Sequence, residues 1–203
     1  MTGRAILVAV EDELSAAVMR RLVASVDRDF VIDRIINTRG NGLLRAGVPK
    51  FKSASHVLPH VVLTDLDRSP CPPDLLQKWG AINLPAQLLV RVAVREVEAW
   101  LLADRFGIAD FLAVAAIKVP ANPEGETDPK RTLINLARRS RKRRLAQELV
   151  PTPGSPNKIG PFYNARLTEF VSRQWNVMQA RGNAPSLDRA LARLSTFLPI
   201  GKK

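Results

Sequence analysis

The chain has 203 residues, of which 46% are hydrophobic and 25% charged, and carries a net charge of +12 at pH 7. Such a length and mix suit one globular domain with a sizeable core, and no apolar run approaches the roughly 20 residues of a membrane-spanning helix. One cysteine (Cys71) and two histidines (His56 and His60) exclude an intrachain disulfide and leave too few ligands for a cysteine-built zinc site. The expected compartment is a reducing cytoplasm.

The amino terminus, MTGRAILVAVEDE, passes straight into strand-like residues without the small-residue cleavage site of a secretory signal. Residues 4–10 (RAILVAV) are apolar on both faces, as in a strand covered on both sides of a parallel sheet. Residues 12–26 follow with Leu14, Val18, Leu22 and Val26 spaced by four, a helical period. Residues 30–36 (FVIDRII) read as a second strand, and residues 37–51 as a loop with a short helix. HVVLTD (60–65) is a third strand and AQLLVRVAV (86–94) a fourth, with a helix-like segment between them. The alternation predicts an α/β fold with a mostly parallel sheet flanked by helices.

Beyond Val94 the pattern turns helical. EVEAWLLADRF and IADFLAVAA read as two helices divided at Gly107, and the Pro- and Gly-rich KVPANPEGETDPK as a loop. One long basic helix is expected over 131–150, then a loop, a helix over 162–175, and a final helix N-capped by Ser186 with Leu187, Leu191, Leu194 and Leu198 on one stripe. The organisation expected is an α/β core over 1–125 and a basic helical extension over 126–203 packed on it. Charge follows the same division: residues 130–203 hold 16 Lys and Arg against Glu148, Glu169 and Asp188 alone. That asymmetry favours a polyanionic partner, with nucleic acid ahead of an anionic membrane surface. A solvated basic face is the plainer alternative.

In a parallel sheet the carboxyl ends of neighbouring strands converge on one crevice. Glu11 follows the first strand, Asp65 ends the third with Asp67 two residues on, and Glu96 and Glu98 follow the fourth. Unpaired carboxylates gathered there would repel one another, and a hard cation such as Mg²⁺, which takes oxygen ligands, removes the conflict. In an extended segment Asp65 and Asp67 would point the same way and could share a metal. Each acid also has a plain structural role open to it: a turn for Asp65 and Asp67, a helix first turn for Glu11, a solvent-facing helix position for Glu96 and Glu98.

VAVEDELS, VVLTDLD and REVEAWLLAD, in that order and spacing, resemble the Toprim-like proteins of the DUF4276 family and are also reminiscent of RloB-like proteins. The resemblance spans most of the chain and rests on short motifs that are distinctive only as a set. It implies Mg²⁺ (with Mn²⁺ as substitute) held by Glu11, Asp65 and Asp67 for phosphodiester cleavage, with Glu98 and Lys130 completing the catalytic set and Trp100 behind them as core. The chain departs from the pattern in having Asp12 where Toprim sequences usually place glycine, so Glu13 stays open against Glu11 as ligand. Glu96 stays open against Glu98, because in a helix the two would lie about 200° apart.

The stretch ARRSRKRR supplies Arg138, Arg139, Arg141, Lys142, Arg143 and Arg144, a phosphate-contacting set on the functional reading. Phe162, Tyr163 and Trp175 are expected in the core rather than stacked on bases, His56 and His60 to be structural or surface residues, and Gly40 and Gly42 to make a turn. Two functions compete. One is a Mg²⁺-dependent nuclease, which the resemblance implies could be the effector of an ATPase-coupled phage-defence system. The other is a non-catalytic nucleic-acid-binding or adaptor subunit of an ATPase partner. The chain has no Walker motif, so an ATP-driven step would need that partner. The sequence leaves open DNA against RNA, sequence specificity, latency and oligomeric state.

Overall fold

The computed structural model describes residues 4–197. Strands β1 (Arg4–Val10), β2 (Phe30–Asn37), β3 (His60–Asp65) and β4 (Leu88–Ala93) form one parallel sheet in the order β2-β1-β3-β4. Helices α1 (Glu13–Ser25), α2 (Asn41–Ala54) and α3 (Pro72–Lys78) connect successive strands. The expected α/β class, with a parallel sheet, flanking helices and a helical carboxyl-terminal half, is the observed one.

Strand alternation divides the core into two layers. Ala9, Val62, Leu88, Val90 and Val92 face α2 and α3, where Leu44, Val48, Phe51, Leu75 and Trp79 cover them. Ile6, Val8, Val10, Val61, Leu63, Leu89 and Ala93 face the larger layer. That layer contains α1, α4 (Val97–Ala103), α5 (Arg105–Leu112), α6 (Pro129–Ala137), α7 (Arg143–Leu149), α8 (Tyr163–Arg173), α9 (Val177–Arg181) and α10 (Pro185–Thr196). The carboxyl-terminal helices thus share one continuous apolar cluster with β1 and α1.

Several local expectations are corrected. Residues 41–54 are a full helix rather than a loop, despite Gly47 and Pro49 inside it. Leu44, Val48 and Phe51, spaced by four and three, bury one stripe against the sheet, and that burial outweighs two poor helix formers. Gly47 makes room for the Phe51 ring, which would have to shift to admit a Cβ, built 2.8 Å from it. The division after Val97 falls at Asp104, not Gly107: Asp104 caps α5 by accepting from the Gly107 amide at 3.1 Å. The single basic helix is two, α6 and α7, parted at residues 138–142. Ala184, not Ser186, is the N-cap of α10. Ser186 is buried, its hydroxyl accepting from Trp100 Nε1 (2.7 Å) and the Val94 amide (3.2 Å) and donating to Glu124 (2.6 Å). Leu187, Leu191 and Leu194 form the buried stripe, and Leu198 lies outside the described residues. α9 was not expected at all.

Among the described residues β2 is an outer strand with one neighbour, β1, and its register slips between Ile6 and Leu7, which pair with Ile32 and Arg34 and skip Asp33. No described helix is long and apolar enough to cross a membrane.

Candidate active site

Chain reversal about β1 places the switch point of the sheet between β1 and β3, and ligands of open α/β sheets bind at the carboxyl ends there. Ala9 lies opposite Val62, so Glu11 stands across from Thr64. Thr64 Oγ1 and the Asp65 amide both donate to Glu11 Oε1, at 2.5 and 3.1 Å. Asp65 Oδ1 accepts from the Val97 amide at 3.0 Å, tying the end of β3 to the first turn of α4. Asp67 has left the extended conformation, with φ of 50°, so it does not continue the strand alternation from Asp65. Its loop is held by Arg95, whose Nη1 donates to the carbonyls of Asp67 (3.3 Å) and Ser69 (2.8 Å), and Asn41 Nδ2 donates to its Oδ2 at 3.2 Å. Among the described residues no donor meets Glu11 Oε2, Asp65 Oδ2 or Asp67 Oδ1.

Glu96 and Glu98 do not compete for the crevice. Glu96 is the extended N-cap of α4, not a helical residue, and both carboxylates reach Lys130, at 3.7 and 3.5 Å. The Lys130 amide, in the first turn of α6, also donates to Glu96 Oε2 at 3.0 Å. Glu98 is 2% exposed; Tyr163 donates its hydroxyl to Glu98 Oε1 at 3.1 Å, while Oε2 is buried without a partner. Glu13 lies on α1, exposed, accepting from Asn37 at 3.1 Å.

Electrostatics mark these groups out. Burial pushes the Glu11 carboxyl above its ordinary range despite two stabilising hydrogen bonds, with the charges of Asp67 and Asp12 adding to it. Asp65 is raised well above its ordinary value by desolvation and then by Glu98 and Glu11. Glu98 is pushed up to about 7 by burial, with Lys130 pulling against the rise and Glu96 adding to it. Burial opposes the Lys130 charge, but Glu98, Glu96 and Asp65 overcome it and hold the ammonium protonated. Tyr163 is likewise raised, by burial and by the Glu98 charge.

Beside the carboxylates opens a cleft of ≈ 1240 Å³. Eight cations line it (Arg45, Arg68, Lys78, Arg95, Lys130, Arg131, Arg138 and Lys158) against three acids, Asp67, Glu96 and Asp128. Of the six cations expected to contact phosphate, only Arg138 lines this cleft. Arg139, Arg141 and Arg143 are exposed. Lys142 is spent on the carbonyls of Asp110 and Phe111, both at 3.1 Å, and Arg144 pairs with Glu148 at 3.2 Å. Sequence reasoning missed Arg45, Arg68, Lys78, Arg95 and Lys158, which are scattered along the chain and assembled only by packing. Tyr163 and Trp175 are core as expected, but Phe162 is 56% exposed. His60 is buried at the opposite end of β3 and His56 exposed; Gly40 donates its amide to the Glu11 carbonyl at 3.0 Å as the N-cap of α2, while Gly42 lies inside that helix rather than in a turn.

Among the described residues no three His, Cys, Asp or Glu side chains converge to enclose an ion as they stand. Mg²⁺ needs less, since it commonly takes one or two carboxylates and completes its shell with water and phosphate oxygens. Glu11 and Asp65 fit that requirement: adjoining carboxylates, each with one oxygen lacking a donor and each raised by burial and by like charge.

No protein family matches the chain by profile, and no curated protein matches it by sequence. Among solved structures, the chain is similar to the C-terminal region of the Burkholderia pseudomallei OLD protein, at 17% identity and a TM-score of 0.41, covering 94% of this chain and 100% of that one. At that level the likeness is one of coarse arrangement, and no residue role transfers through it.

Proposed function

We propose that the protein is a metal-dependent nucleic-acid phosphodiesterase of Toprim-like type. The observation that carries this reading is the meeting of Glu11 and Asp65, at two strand ends, with Glu98 in the first turn of α4, all with raised carboxyl pKa values, beside a cleft lined by eight cations. Desolvating like charges costs several kcal/mol per ion unless a cation compensates, so a fold that keeps them together has a use for one.

In this reading Glu11 and Asp65 would hold Mg²⁺, with Mn²⁺ as substitute, and Asp67 on the loop after β3 adds negative charge beside Glu11. The bound ion supplies Lewis-acid polarisation of a phosphodiester and a lowered pKa for a water ligand. Thr64 and the Asp65 amide fix the Glu11 carboxylate, and the Val97 amide fixes Asp65, so neither ligand has to reorganise. Lys130, held by Glu96 and Glu98, places a permanent positive charge beside the reacting phosphate. The cleft cations neutralise flanking phosphates. An ATPase partner and a role in defence against phage belong to the same reading, since residues 1–203 carry no Walker motif of their own.

The test is incubation of the protein with single- and double-stranded DNA and with tRNA, in Mg²⁺, Mn²⁺ or EDTA, alongside Asp65→Asn. Metal-dependent cleavage lost in the variant supports the proposal; cleavage indifferent to EDTA or to Asp65→Asn overturns it. One observation favours a second reading, that of a binding or adaptor subunit: Lys130 already compensates part of the acidic charge. A protein whose melting temperature ignores divalent ions would support that reading.

A further inference from the structure

We propose that Arg91, Arg189 and Arg193 form a phosphate-binding site on the flank of the sheet, where α10 lies against β4. The site is separate from the one described above, since none of the three residues lines the cleft. Val90 and Val92 face the layer of α2 and α3, so Arg91 between them faces the opposite layer, with Leu89 and Ala93. α10 crosses that face against the strand direction. Its first turn is tied to the carboxyl end of β4, where the Val94 amide donates to Ser186 Oγ at 3.2 Å. Past its last turn Phe197 packs on Phe30, at the start of β2, with ring centroids 6.3 Å apart. Ser186, Arg189 and Arg193, spaced by three and four, share one flank of the helix. Arg193 is about 10 Å along α10 from Ser186, and Arg91 about 10 Å back along β4 from Val94. The shared tie at Ser186 and Val94 thus brings Arg91 level with that flank.

No group of the protein balances this charge. Among the described residues none of the three side chains meets an acid or a carbonyl, and Asp188, the acid of α10, is paired with Arg181 instead. Arg91 is half-buried: its Nε is enclosed without an acceptor, while its Nη nitrogens, equally without one, remain open to solvent. Burial, and then the charges of Arg193 and Arg189, hold its guanidinium below the ordinary value, so the three groups are near enough to repel. A buried carboxyl such as Glu98 can relieve its position by taking up a proton. Arginine stays charged in proteins and has no such exit. An anion at the Nη nitrogens supplies it.

The number and kind of the cations select the anion. A carboxylate has one charge and two oxygens, and a single guanidinium fork satisfies it. A phosphate monoester carries nearly two charges and three strong acceptor oxygens, enough for several forks at once. The ligand is therefore a phosphate group, free or esterified to a nucleoside. Arg189 and Arg193 are exposed, so both can be replaced without opening the core.

Arginine modification by phenylglyoxal in EDTA, mapped by mass spectrometry, reads the site residue by residue and involves no metal chemistry at Glu11 or Asp65. Inorganic phosphate, set against chloride of equal ionic strength, should slow modification of Arg193 about tenfold at about ten times its dissociation constant, and leave Arg141 and Arg143 within about twofold. Adenosine 5′-monophosphate run beside it separates the sources: tighter protection names a nucleotide's phosphate, and equal protection the phosphate group alone. In chloride, Arg189→Gln/Arg193→Gln should melt at the same or a higher temperature than wild type, because like charges have been removed. An unprotected Arg193, protection shared equally with Arg141 and Arg143, or a lower melting temperature for the variant would each overturn the proposal. Protection of Arg193 in a protein that cleaves no nucleic acid would count against the phosphodiesterase reading alone.

Discussion

The carboxylates at the sheet edge and the cations of residues 138–144 are both dense runs of like charge, yet the fold treats them in opposite ways. The cations are on the surface, where water screens them and holding six together costs little. Glu98 is buried, and Glu11 and Asp65 are desolvated enough that their carboxyl pKa values rise. Keeping a charge in solvent needs no compensation and so carries little information about use. Keeping several acids out of solvent, next to one another, opposes folding and calls for a purpose.

The largest test of that contrast is Asp65→Asn. Asn retains an oxygen for the Val97 amide, so the fold should survive, and in EDTA the variant should melt at the same or a higher temperature than wild type because a repulsion is gone. Cleavage should fall on the order of 10³-fold, the worth of several kcal/mol of metal stabilisation, and the Mg²⁺-dependent rise in melting temperature should vanish. Calorimetry showing lower stability with metal response intact would reduce Asp65 to a helix-capping residue.

The next effect is on pH. Glu98 titrates near 7 when folded, against an ordinary 4.5, so between those values the folded protein binds the extra proton. The stability that Glu98 contributes in EDTA should therefore be fullest below pH 4.5 and decline as pH rises through 7, by up to about 3 kcal/mol. Glu11 and Asp65 are shifted in the same direction and act with it. Urea midpoints of wild type and Glu98→Gln measured from pH 4.5 to 8 should show a smaller decline in the variant; identical profiles would remove Glu98 from the argument.

Tyr163→Phe probes the same acid from behind. Loss of the hydroxyl that donates to Glu98 Oε1 should cost about 1–3 kcal/mol above pH 7, and less at pH 5, where Glu98 is protonated. A pH-independent loss would mean that the phenol contributes packing alone.

The smallest effect belongs to the basic stretch. Arg141→Ala and Arg143→Ala should change stability by no more than about 0.5 kcal/mol, as surface substitutions do. A loss of several kcal/mol, read from urea midpoints, would show that these side chains are part of the fold after all.

What the sequence displayed and what it hid follow from the range of the interactions involved. The four strands and α1 were legible because apolar runs and a spacing of four are local signals. Glu11, Asp65 and Glu98 were legible as a set because parallel strands force their carboxyl ends together. α2 was not, because Gly47 and Pro49 disfavour a helix and only burial of Leu44, Val48 and Phe51 on the sheet decides otherwise. The break between α6 and α7 was hidden under a run of good helix formers. The cleft was least legible of all: Arg45, Lys78, Arg131 and Lys158 become neighbours only when two helical layers meet at the sheet edge. Clustered cations drew attention in the sequence, while the dispersed ones line the cavity.

The slipped register at Asp33 has a consequence for the life of the protein in a crowded solution. β2 has one strand neighbour, and an outer strand of eight residues is a template on which another chain's backbone could lay itself down. The extra residue breaks the regular repeat of donors and acceptors and twists the strand locally. It also sets Asp33 and Arg34, both exposed, at mid-strand, and charged side chains make an open edge a poorer template. One irregular residue thus guards the open side of the sheet against fibre-like growth.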